Sequence, residues 1–358
     1  MVTQILDVSV LNDELLCRVS TGGDIEATKA FDDALSKIEI AANIIKNGGL
    51  VAFPTETVYG LGADAFNAEA AGKIYKAKGR PSDNPMIVHI ANIIDMDKIV
   101  SSKPRNAIKL ADKFWPGPLT IILNKRAEVP DVTTGGLSTV AMRMPDNFIA
   151  QELIRKAGTP IAAPSANISG RPSPTRAKHV IADLNGRVDA ILVGADSRIG
   201  LESTVVDLTE DIPIILRPGI VSEKELSFIS GCQVRVDGRL LSSDASEDEK
   251  PPKSPGTKYK HYAPLAEMIV IQGEQAKVRA EIERMKKEKE GAGLKVGVML
   301  FENSMQDVAA HDFYAMLRDF DDVGTDLIIA GAVDAENAVG FALMNRMIKS
   351  AGNNVIRV

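Results

Sequence analysis

The sequence predicts an α/β protein built as two unequal sheets joined by a linker. Three observations carry that expectation. Before residue 236, short β-rich segments follow one another with only a few helices between them. That pattern suits a large mixed sheet better than regular βαβ alternation. The run Ser242-Ser243-Asp244-Ala245-Ser246-Glu247-Asp248-Glu249-Lys250-Pro251-Pro252 is polar, charged and proline-bearing, so it cannot bury a core and reads as a linker. After Pro264 strands and helices alternate, as in a small three-layer domain on a parallel sheet. The expected boundaries are 31–236 for the first domain, 237–264 for the linker and 265–358 for the second domain.

Residues 1–30 are irregular and predict no more than a short strand or an arm. Leu35, Ile38, Ala41, Ala42 and Ile45 then recur at helical spacing until Gly48-Gly49 stops them. A buried strand is expected at 50–53, ended by Pro54, and a helix over 67–78 with Asn67 as its cap. Further strands are expected at 86–90, 119–123, 139–143, 160–163, 189–193, 203–208 and 213–216, with a helix over 105–114. In the second domain the strands are expected at 268–271, 295–300 and 326–330. A helix there puts Val278, Ile282 and Met285 on one face, and two more lie near 312–320 and 338–350.

Composition narrows the function. The 358 residues are 45% hydrophobic and 25% charged, with a formal net charge of -6. A wholly basic nucleic-acid coat is excluded, though a local basic patch is not. Cys17 and Cys232 are too few for a disulfide framework or a thiolate zinc site. With no secretory leader and no membrane-length apolar run, the expectation is a reducing, cytoplasmic setting.

The segments that carry chemistry all precede the linker. Pro54-Thr55-Glu56-Thr57-Val58-Tyr59-Gly60-Leu61-Gly62 puts hydroxyls, a carboxylate and glycines directly after a buried strand, as a ligand loop or as a plain turn would. Lys78 and Arg80 sit at a predicted helix end, followed by Asn84 and His89. Two cations there can grip phosphate or merely complement the helix dipole, and His89 can be structural. Arg143 ends an apolar strand and needs an anionic partner, either a substrate carboxylate or a protein acid such as Asp146. Ser165, Asn167, Ser169 and Ser173 lie between a strand and a helix that Thr175 is expected to cap, as a phosphate or ribose cradle or as ordinary turns. Glu202-Ser203-Thr204 and Arg217-Pro218-Gly219 complete the set. No P-loop, G-x-S-x-G, zincin or His-pair ligand spacing occurs, so no covalent nucleophile, Walker-type site or protein-held metal is expected.

In this order the blocks P-T-E-T-V-Y-G-L-G, K-x-R, R-M-P, S-x-N, E-S-T and L-R-P-G resemble the YrdC/YwlC family. The linker motif Ser254-Pro255-Gly256-Thr257-Lys258-Tyr259-Lys260-His261-Tyr262-Ala263-Pro264 and the closing Gly340-Phe341-Ala342-Leu343-Met344-Asn345-Arg346 are similar to its two-domain members. The residues before Phe31 and the acidic stretch near 243–250 depart from it. The resemblance implies a twisted mixed sheet around a concave cavity and an appended Rossmann-like domain. The implied activity is L-threonylcarbamoyladenylate synthesis, a nucleotidyl transfer that turns L-threonine, bicarbonate and ATP with Mg²⁺ into threonylcarbamoyl-AMP and pyrophosphate. A separate downstream transferase would modify tRNA.

It also implies roles. Lys78 and Arg80 would be catalytic. Arg80, Asn84, Thr139, Ser165, Asn167, Ser173, Arg217 and Tyr262 would hold ATP. Thr57, His89, Arg143, Ala163 and Ser203 would hold threonine. Residues 253–264 would close the cavity as a lid, given the density of Lys258, Tyr259, Lys260, His261 and Tyr262. Two other readings stay open. One is a non-catalytic RNA-binding or ribosome-maturation factor in contact with tRNA or double-stranded RNA. The other is a hydrogenase-maturation carbamoyl transferase, which the two cysteines disfavour.

Overall fold

The computed structural model describes residues 1–22, 24–240, 252–254 and 261–358. The acidic part of the linker and Lys258, Tyr259 and Lys260 of the expected lid lie outside them.

The first sheet has eleven strands: β1 (Gln4–Asp7), β2 (Val51–Phe53), β3 (Gly60–Asp64), β4 (Ile87–His89), β5 (Leu119–Asn124), β6 (Thr139–Arg143), β7 (Ile161–Ala163), β8 (Ala190–Val193), β9 (Thr204–Asp207), β10 (Ile214–Arg217) and β11 (Arg235–Val236). Their order is β1-β8-β2-β3-β7-β4-β6-β5-β9-β10-β11. Pairing is mixed: β1 and β2 run parallel to β8, and β4 to β6, while β3 is antiparallel to both β2 and β7. The second sheet contains β12 (Glu267–Gln272), β13 (Val296–Met299), β14 (Leu327–Gly331) and β15 (Val355–Arg357), ordered β13-β14-β12-β15 and parallel throughout.

Every strand expected from the sequence is present. β1, β3, β11 and β15 were not resolved from it. The first sheet therefore starts at Gln4, well before residue 31, because β1 pairs with β8 and Thr3 donates its hydroxyl to the Val188 carbonyl at 2.6 Å. The first core helix is longer than its periodic stretch, running Ile25–Lys46 from an Asp24 cap. The helix after the serine-rich loop is Ala177–Leu184. Thr175 does not cap it; its carbonyl accepts from the Ser197 amide instead.

Strand alternation builds a core on each face of the large sheet. Val51 and Phe53 pack in one cluster, while Ala52 and its neighbour Leu50 pack in the other. In the small domain Met268 and Val270 face one layer and Ile269 and Ile271 the other, the latter over Val278, Ile282 and Met285 of the helix Gln275–Gly291. Val58 and Leu201 of the first domain join the small domain's own core, so the two units share apolar packing. Among the described residues no helix is long and apolar enough to cross a membrane.

Candidate active site

Strand ends converge on a cavity of about 570 Å³, counting its open mouth. His89 and Arg143 close the parallel strands β4 and β6 and stand in register. Thr57 lies between β2 and β3, Ser165 follows β7, Arg217 closes β10, and His261 and Tyr262 arrive from the linker.

One side of the cavity is organised by Arg143, which is 4% exposed. Its Nε donates to the Gly117 carbonyl at 3.2 Å and its Nη1 to Thr57 Oγ1 at 2.7 Å. Its Nη2 lies 2.6 Å from Glu56 Oε1, in an ion pair without hydrogen-bond alignment. Glu56 is thus the protein partner that the strand-end arginine required; Asp146 instead accepts from Arg198. His89 shares Nδ1 with the Ile87 carbonyl at 3.0 Å and meets Phe53 edge-on. Burial, reinforced by Arg143, lowers its pKa to about 3, so the ring is neutral.

The other side is cationic. Arg80 donates to the carbonyls of Asn84 and Pro85, and Arg217 to Ser203 O at 3.1 Å and Ser203 Oγ at 3.0 Å. Burial lowers the pKa of both, Arg80 to about 10. Glu202 lines the same cavity, accepting from Ser173 Oγ at 2.6 Å, from Tyr314, and from Arg346 Nε at 2.8 Å. Burial opposes its ionisation, but Arg346, Arg217 and these hydrogen bonds prevail and hold its pKa at about 2. Burial likewise lowers His261 to about 3 and raises Tyr262. Tyr262 sits at φ 65°, in the left-handed region a bulky residue seldom occupies.

Of the residues expected to form the site, Thr57, Arg80, His89, Arg143, Ala163, Ser165, Arg217 and Tyr262 line this cavity, and Lys78, Asn84, Thr139, Asn167, Ser173 and Ser203 do not. Lys78 is 2% exposed and donates to the carbonyls of Ser165 and Asn167. Burial, then Arg80, lowers its pKa well below the lysine range. Asn167 is consumed within its own loop, accepting from Ser165 Oγ at 2.6 Å and donating to Ile168 and Arg171 carbonyls. The Ser173 hydroxyl is spent on Glu202, and the Ser203 hydroxyl bonds Thr120 and Arg217. Thr139 begins β6 opposite Asn124. Asn84 is buried beside Arg80 with its side-chain amide unpartnered.

Glu56, Glu202, Tyr314 and Arg346 were not assigned from the sequence. Three of them stand inside or beside quoted blocks, so the signal was present. What was missing was the pairing, since Glu202 and Arg346 lie 144 residues apart.

The sequence model of the Sua5/YciO/YrdC family, described as telomere recombination, matches residues 43–219, and that of the threonylcarbamoyl-AMP synthase C-terminal domain matches residues 221–352. The chain is 46% identical to threonylcarbamoyl-AMP synthase of Pyrococcus abyssi (strain GE5 / Orsay), over 90% of this chain and 96% of that protein. It is 43% identical to the Bacillus subtilis (strain 168) protein of the same name, over 93% and 98%. Among solved structures it is similar to P. abyssi Sua5 complexed with L-threonine, with a TM-score of 0.86 and 44% identity over 90% of this chain and 96% of that one. Motifs, fold and full-length similarity agree: the chain belongs to the Sua5/YciO/YrdC family, in the form that carries the threonylcarbamoyl-AMP synthase C-terminal domain.

Proposed function

We infer that this chain is a threonylcarbamoyl-AMP synthase, an enzyme that joins L-threonine, bicarbonate and ATP into threonylcarbamoyl-AMP and pyrophosphate. The observation that carries the reading is one cavity with two differently equipped sides. Arg143, with Thr57 beside it, suits a carboxylate, while Arg80 and Arg217 suit phosphates. The reaction needs no protein nucleophile. The threonine amine attacks the carbon of carbon dioxide and gives up a proton to solvent, or condenses with bicarbonate and releases water, and either route gives a carbamate. A carbamate oxygen attacks the α-phosphorus of ATP, and pyrophosphate leaves with the P–O bond electrons. Positioning and charge neutralisation therefore carry the catalysis.

In this reading Arg143 and Thr57 hold the threonine carboxylate, with neutral His89 and the Ala163 backbone shaping the pocket. Arg80, Arg217 and Ser165 face the nucleotide, and Tyr262 covers it. Lys78 acts from behind the wall by fixing the Ser165–Asn167 loop. Asn84, Ser173 and Ser203 act from the same outer layer. Thr139, at the start of β6, has no part in this cavity's wall and is left without a role in this reading. Glu202, the cavity's acidic side chain among the described residues, is already engaged by Ser173, Tyr314 and Arg346. With that carboxylate so engaged, Mg²⁺ would be carried on the ATP phosphates, where it would spread the developing negative charge. The relatives' names support this reading over a non-catalytic RNA-binding factor. The reading places the reaction in the cytoplasm and passes the product to a separate transferase acting on tRNA. Pyrophosphate release from ATP, measured with each amino acid in turn, tests it. Release is expected with threonine and bicarbonate together, and equal release with glycine would contradict it.

A further inference from the structure

A cavity that is to hold a triphosphate and a carboxylate should not present an acid of its own. Yet Glu202 lines it. Arg346, wholly buried on the small domain's helix Ala338–Ser350, reaches across to that acid. Its Nε donates to Glu202 Oε2 at 2.8 Å and its Nη2 to the carbonyl of Pro218 at 2.9 Å. Pro218 follows Arg217 directly. The same guanidinium stands 5.6 Å from the centre of the Tyr262 ring, also on the cavity wall. One side chain thus touches the three segments that carry Glu202, Arg217 and Tyr262. Arg217, meanwhile, is turned to Ser203 and not to Glu202.

We propose that Arg346 is a positioning residue for the synthase reaction: it cancels the charge of Glu202 from behind, so that Arg217 stays available to the phosphates of ATP. The proposal rests on the synthase reading and gives the small domain a part in nucleotide binding. Apolar packing alone could join the domains, and a buried ion pair is a poor stabiliser compared with well-packed apolar side chains. The charge therefore calls for a charge-specific use. Without Arg346, Glu202 would draw Arg217 away from the cavity and repel the nucleotide across a poorly screened interior.

The test is calorimetric titration of Mg-ATP and of threonine into four full-length proteins: wild type, Arg346→Met, Arg346→Lys and the double variant Glu202→Gln/Arg346→Met. Arg346→Met should lose roughly tenfold or more in ATP affinity, with threonine affinity nearly unchanged. Arg346→Lys should keep most ATP affinity because the charge remains. The double variant should recover most of the loss, because the acid to be cancelled is gone. A double variant as weak as Arg346→Met, or an Arg346→Met protein that binds ATP like wild type, would overturn the proposal. Should Arg346→Met not fold, the double variant decides alone: near-normal ATP affinity supports the proposal and weak binding overturns it. Failure of the wild type itself to bind ATP would overturn the synthase reading, a result separate from any effect of substitution.

Discussion

Arg143 has three neighbours already: Gly117 O, Thr57 Oγ1 and Glu56. They fix the guanidinium plane while leaving hydrogens on its nitrogens for a planar anion. Arg143→Lys keeps the charge but loses the fork. Threonine affinity should therefore fall at least about tenfold while ATP affinity changes little, as two calorimetric titrations would show. Equal losses would make Arg143 a structural residue. The buried histidines give a second handle. His89, His179 and His261 all titrate near 3 in the folded protein, against an ordinary 6.5. Their folded pKa is depressed, so the unfolded chain takes up protons first as the pH falls. Their contribution is complete above about 6.5 and is lost towards 3, by about 1.4 kcal/mol per unit for each ring, on top of the loss that the burial-depressed Lys78 and Lys349 add from higher pH. Glu202 adds to the loss only below its ordinary 4.5. Urea unfolding should show stability falling by at least about 4 kcal/mol between pH ~6.5 and pH ~5; a flat profile across that window would contradict these burials. Residue types were legible in the sequence, but their facing was not. Lys78 has the charge of a phosphate ligand and spends it on two carbonyls, which only the three-dimensional path of the Ser165–Asn167 loop reveals.

The helix Ala68–Lys78 delivers Lys78 and Arg80 to the site, and its ends are written locally. Asn67 caps it by accepting from the Ala70 amide, and Gly79 turns it off at φ 62°. A Cβ at Gly79 would meet nothing within 4 Å. Gly79→Ala should therefore cost only the left-handed backbone penalty, about 1–2 kcal/mol in urea unfolding, without a clash. A loss of more than about 4 kcal/mol would mean that the turn is packed more tightly than described. Elements with such local signals, and amphipathic ones such as Gln275–Gly291, could be read from the sequence. β1 could not, because a four-residue edge strand is defined by its partner β8 and not by its own pattern. β3 was hidden for a related reason: Gly60-Leu61-Gly62 looks like a turn, but Gly60 and Gly62 lie against Phe53 across the β2–β3 pair.

At the scale of the whole molecule, the small domain is pinned to the back of the catalytic one. Arg318 donates to Asp183 at 2.7 Å and to the Pro172 carbonyl, Tyr314 and Arg346 converge on Glu202, and the Ala263 amide ties the linker to Gly170. The two-sheet plan was visible in the sequence as a change of pattern around the linker. The docking was not, because it depends on single charged residues far apart in the chain. Gly200, at φ 81°, lets the domains approach, since a Cβ there would stand 2.4 Å from His311 Cα. Gly200→Ala should loosen the interface, read as faster hydrogen exchange in the helix Gln306–Asp322 together with weaker ATP binding; unchanged exchange would show that the domains do not need this contact. The central claim is that one cavity joins threonine, bicarbonate and ATP. The most direct measurement is mass spectrometry of the product formed with carbon-13-labelled bicarbonate. The account predicts an adduct of threonine and AMP that carries one labelled carbon, with pyrophosphate released. Threonyl-AMP without the label, or ADP with phosphate, would contradict it.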